Sequence, residues 1–135
     1  MQDKVLIVSS KEYVLLAAAA GAEEIYGFDM AADSIQEHEA IIALHGLTAK
    51  GYVESDGEKI ILKDKMKVIF ETITGSGTIL DVHKRSGRKC IFYIGKTAVK
   101  VVRSLRRPDS YEISIMPVSG VWQHLAEEGW IGDSV

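Results

Sequence analysis

The sequence predicts an α+β fold, and three observations carry that assignment. Up to Thr74, apolar residues recur at helical spacing in segments that open on capping patterns. Beyond Gly75-Ser76-Gly77 the apolar period falls to two, over four short segments joined by turn residues. Between these regimes, a helix from Ser34 to about Lys50 leads into two short strands, Tyr52 to Leu62, folded about Asp56-Gly57. A helix followed by such a wing is the outline of a winged helix. The expected architecture is a winged-helix-like N-terminal half, residues 1–75, followed by a four-stranded antiparallel meander and a C-terminal helix, residues 76–135. The two halves pack together as one domain.

Each element has a local reason. Lys4 to Val8 is a β-branched run, expected to be a strand that joins the wing. Ser9-x-x-Glu12 is a capping box, and the helix it opens runs through Tyr13-Val14-Leu15-Leu16 and four alanines to Gly21. Glu23 to Phe28 is expected to form a helical turn anchored by Ile25, Tyr26 and Phe28. Ser34-x-x-Glu37 opens the second helix, with Ile35, Ile41, Ile42, Leu44 and Leu47 as its core contacts. Asp64 is expected to cap a third helix carrying Met66, Ile69, Phe70 and Ile73. The strands of the meander are predicted at Thr78–Lys84, Lys89–Ile94, Thr97–Leu105 and Ser110–Met116. In the last of these, Tyr111, Ile113 and Ile115 alternate with Glu112, Ser114 and Met116, the pattern of a sheet with one buried face. A final helix from about Val118 to Glu128 sets Val121, Trp122 and Leu125 on one side to cover the sheet.

Composition narrows the class. With 47% hydrophobic and 26% charged residues, the 135-residue chain has the make-up of a soluble globular protein. Neither Val5-Leu6-Ile7-Val8 nor the apolar block Tyr13 to Ala22 is long enough for a secretory or membrane-spanning segment. A cytoplasmic protein without membrane insertion is expected. Cys90, the single cysteine, sits in an apolar run and is read as a buried, reduced thiol. Charge is uneven: residues 1–77 hold 7 lysines against 13 carboxylates, residues 78–135 hold 9 cations against 6 carboxylates.

No catalytic constellation stands out, and no cofactor or metal is expected. Gly95-Lys96-Thr97 resembles the end of a phosphate-binding loop, but the required earlier glycine is Cys90 and a helix does not follow. Those residues read as a hairpin. His38 and His45 share a helix side without an arranged set of further ligands. His83 and His124 have no nucleophile partner visible in sequence. The protein is expected to be a non-enzyme.

The cations concentrate on the meander. Lys84, Arg85, Arg88 and Lys89 flank one turn, and Lys96, Lys100, Arg103, Arg106 and Arg107 follow. Such residues protect sheet edges and contact proteins more often than they bind single strands of nucleic acid. The second helix carries Glu37 and Glu39 where a DNA-reading helix needs cations, and its one cation, Lys50, is at the wrong end. That pattern disfavours DNA and leaves a winged-helix transcriptional regulator as the alternative reading.

The segment Tyr13 to Glu23, the Ile25-Tyr26-Gly27 turn and the helix end Leu47-Thr48-Ala49-Lys50-Gly51-Tyr52 resemble proteins of the EspG type, chaperones or adaptors of type VII (ESX) secretion systems. The likeness covers roughly residues 3–75 and, more loosely, the sheet. It implies a cytosolic protein that captures a helical secretion substrate without covalent chemistry. Family members contain two related α+β halves, so a homodimer would supply the missing one. The expected partner contacts are the hairpin tips with Lys84, Arg85, Arg88, Lys89 and Lys96, and the tail residues Trp130 and Ile131. For Trp130, folding back onto the sheet is the equal alternative.

Overall fold

The computed structural model describes residues 5–21, 36–56 and 59–130. The expected turn at Glu23–Phe28, the start of the second helix at Ser34 and Ile35, the tip residue Gly57 and Ile131 lie outside the described residues. In chain order the elements are β1 (Leu6–Ser9), α1 (Ser10–Ala19), α2 (Glu37–Ala49), β2 (Val53–Asp56), β3 (Lys59–Leu62), α3 (Asp64–Gly75), β4 (Thr78–His83), β5 (Lys89–Ile94), β6 (Thr97–Arg103), β7 (Ser110–Pro117), a 3₁₀ turn (Val118–Gly120) and α4 (Val121–Glu127). The protein is α+β. A five-stranded antiparallel sheet has the order β1-β7-β6-β5-β4, and β2-β3 form a separate two-stranded hairpin. Among the described residues, no helix is long and apolar enough to cross a membrane.

The meander β4–β7 runs in sequence order, as its short connectors require. β1 departs from expectation: it pairs with β7, Leu6 opposite Ile113 and Val8 opposite Tyr111, and does not join the wing. That register buries Leu6 and Val8 in the main core, which the short β2-β3 hairpin could not provide. The sheet is covered on both faces. Ile91, Tyr93, Val99, Val101, Tyr111 and Ile113 meet α1 and α3, forming one core with residues from both sides of Gly75. Cys90, Phe92, Ala98 and Val102, one residue out of phase, meet Val121 and Leu125 of α4 in a second cluster.

The N-terminus of α1 is closed as expected. Glu12 N–H donates to Ser9 Oγ (3.1 Å), and Ser9 N–H donates to Glu12 Oε1 (2.8 Å). In α2 the reciprocal bond involves Gln36 and Glu39, whose Oε1 accepts from Gln36 N–H at 3.0 Å. Asp64 is not the cap of α3: Lys63 holds that position without a side-chain bond, and Asp64 enters the first turn at φ +36°. Met66, Ile69, Phe70 and Ile73 are all buried. The α2 expectation is half corrected. Ala43 and Leu47 face inward with Leu44 partly buried, while Ile41 and Ile42 are 48% and 68% exposed. The reason is where α1 lies: α2 rests on it through Gly46, Glu39 and Lys50, which turns Ile41 and Ile42 outward. On α4, Trp122 likewise points outward, 71% exposed, while Val121 and Leu125 are buried.

Candidate functional site

The sheet has two chemically different ends. The β4–β5 turn closes with Lys84 N–H on Arg88 O (2.8 Å), and Gly87 takes φ +94°, a conformation glycine adopts without strain. Because Cys90 pairs with Val102, this turn lies beside the β6–β7 loop, and Arg88 Nη2 donates to Arg103 O at 2.9 Å. Lys84, Arg85, Arg88 and Lys89 therefore share one end with Arg103, Arg106 and Arg107. Lys96 lies in the β5–β6 turn at the opposite end, where Gly95 N–H donates to Thr97 O (2.9 Å). Among the described residues, Lys84, Arg85, Arg88, Arg103, Arg106 and Arg107 make no ion pair.

Trp130 takes the fold-back placement. It is 7% exposed and belongs to the second core cluster, so its indole is not a free anchor. Lys84 Nζ stands 4.5 Å from its ring centre, and the Arg88 guanidinium and Lys100 Nζ are each 5.8 Å away. The ring's negative face partly offsets three crowded cations.

On the same sheet face, α4 leaves a cleft of about 700 Å³ over β6 and β7, lined by Lys100, Glu112, Ser114, Gln123, His124 and Glu127 among others. Lys100, only 7% exposed, reaches from mid-β6 to place Nζ 2.9 Å from His124 Nε2. Burial, and then Arg88, hold the Lys100 ammonium below its usual range, against the raising influence of Cys90, Glu128 and Glu112. Burial and the neighbouring Lys100 likewise lower His124. Burial lifts the Cys90 thiol to about 11 despite the nearby Lys100, Arg88 and Lys84. This cleft was hidden in the sequence. One signal could have found its floor: at period two, Lys100 must share a side with Ala98 and Val102.

A third surface is the outer side of α2. Glu37, His38, Ile41, Ile42 and His45 are exposed there. Glu39 is ion-paired to Lys11, and Glu12 is ion-paired to Lys50 beneath the helix at 2.7 Å. Among the described residues no group of three or more metal-ligating side chains forms.

No family model matches the chain, and comparison with curated proteins and with solved structures likewise gives no match.

Proposed function

We propose that this chain is a non-enzymatic protein-binding adaptor, a cytosolic chaperone that holds a helical type VII secretion substrate. In this reading α1, α2 and the β2-β3 hairpin act as a winged-helix-like scaffold turned to gripping polypeptide. One observation carries it: Ile41 and Ile42 stand side by side on the outer side of α2, 48% and 68% exposed. Large apolar side chains grouped on an exposed helix face mark a contact surface. Covering both isoleucines would contribute about 2–4 kcal/mol at most before the costs of association. A partner helix seats on such a face through anchors at three- and four-residue spacing. Exposed Glu37 at the start of α2 supports a polypeptide partner, because a phosphate backbone would meet like charge there.

The test is co-expression with small helical proteins encoded beside its gene. A stable complex that dissociates in the Ile41→Asp/Ile42→Asp variant, with the fold retained, supports the proposal. A partnerless monomer, or a complex indifferent to that variant, refutes it.

A second reading, a DNA-binding regulator, is favoured by the six cations at one sheet end that make no ion pair among the described residues. Duplex affinity that falls steeply between low and moderate salt would support it, since phosphate contacts release counterions.

A further inference from the structure

We propose that the cleft between α4 and strands β6 and β7 is a binding site for a small aldehyde or ketone, held as a reversible imine on Lys100. The proposal is independent of the adaptor reading, since the cleft lies across the sheet from α1 and α3.

Four features of the geometry point there. The Lys100 stem is packed beside the second core cluster, and the residue is 7% exposed. Its amine makes no ion pair among the described residues, although buried lysines ordinarily have one. Lys84 and Arg88 approach the same indole, which crowds positive charge around the amine. Finally, Lys100 and His124, whose Nζ and Nε2 are 2.9 Å apart, both line an open cleft.

Desolvation without a counter-ion disfavours the ammonium and favours the nucleophilic free amine, in agreement with the lowered Lys100 pKa. The groups facing it are His124, Glu112 and Glu128 on the cleft side, with Cys90, Arg88 and Lys84 behind. His124 Nε2, at 2.9 Å, is placed to take a proton from Nζ.

The step balances without an oxidant or reductant. Nζ attacks the carbonyl carbon, forming a C–N bond as the carbonyl π-pair moves to oxygen. The proton leaving nitrogen passes to His124 and from there to the alkoxide oxygen, giving a carbinolamine. One further proton, taken from solvent, lets that hydroxyl depart as water, and a protonated imine remains. The hydroxyl of Ser114 and the amide of Gln123 line the same space and can hydrogen-bond the rest of a polar carbonyl compound.

The test uses the intact chain with glycolaldehyde as probe at neutral pH, followed by borohydride reduction and peptide mass mapping. Lys100 is expected to carry roughly fivefold or more adduct than exposed Lys59, Lys65, Lys67 or Lys96, because its amine is the desolvated one. His124→Gln should lower Lys100 labelling about tenfold while leaving the exposed lysines unchanged. Adduct distributed according to exposure, or an unlabelled Lys100 beside labelled surface lysines, overturns the proposal. Equal Lys100 labelling in wild type and a folded His124→Gln variant overturns the proton-transfer role.

Discussion

Replacing Gly46 with alanine should destabilise this protein, although alanine is the better helix former. In an unencumbered helix interior, Gly→Ala stabilises by about 1 kcal/mol. Here a Cβ on Gly46 would lie 2.3 Å from Glu12 Oε2, closer than any real contact. Glu12 cannot step aside freely. It is 6% exposed, and its Oε1 accepts from Ser9 N–H at 2.8 Å and pairs with Lys50 Nζ at 2.7 Å. Displacing the carboxylate breaks the reciprocal cap, about 1 kcal/mol. It also weakens the ion pair, about 1 kcal/mol after allowing for a Lys50 side chain that is 33% exposed. Glu12→Ala should therefore cost about 2 kcal/mol, and Gly46→Ala about 1 kcal/mol net, once its propensity gain is set against the displacement. In the double variant the obstacle is gone, and Gly46→Ala should stabilise the Glu12→Ala background by about 1 kcal/mol. The assay is urea unfolding followed by far-ultraviolet circular dichroism. Thermal midpoints should move by about 3–5 °C per kcal/mol for a chain of this size. The same sign for Gly46→Ala in both backgrounds would refute the reasoning.

Other consequences are as direct. Cys90 should resist iodoacetamide at pH 8 in the native state and react at once in denaturant, since its thiol is buried and raised to about 11. Trp130→Ala should cost about 3–5 kcal/mol because it empties the second core cluster, whereas Trp122→Ala should stay within about 0.5 kcal/mol; equilibrium unfolding compares the two. His124 has a depressed pKa in the folded state, so the unfolded chain binds the extra proton first. That contribution is fully present above the unfolded value near 6.5 and is lost as pH falls below it. A His124→Gln variant should show a shallower loss between about pH 7 and 5 in a midpoint titration.

The secondary structure was largely legible before any tertiary arrangement was known, because it rests on local rules. Ser9 and Glu12 are three residues apart, and the predicted hydrogen bonds form between them. Period-two alternation placed all four meander strands within a residue or two. Met66, Ile69, Phe70 and Ile73 were placed inward by spacing alone. What the local pattern could not decide was which neighbour each apolar surface would find. Ile41 and Ile42 look as core-forming as Leu47, and only the crossing of α2 over α1 at Gly46 sends them outward. β1 carried the composition of a strand but no indication that β7 was its partner. Trp122, expected to cover the sheet, faces solvent, and of the two equal alternatives for Trp130 the fold-back is the one taken, because the docking of α4 sets which side chains meet the sheet. The Lys100–His124 contact joins residues 24 apart through that same docking. Hydrogen bonds and steric periods act over a few residues and are written in the chain, whereas burial is a competition among distant surfaces that is resolved only when all of them pack.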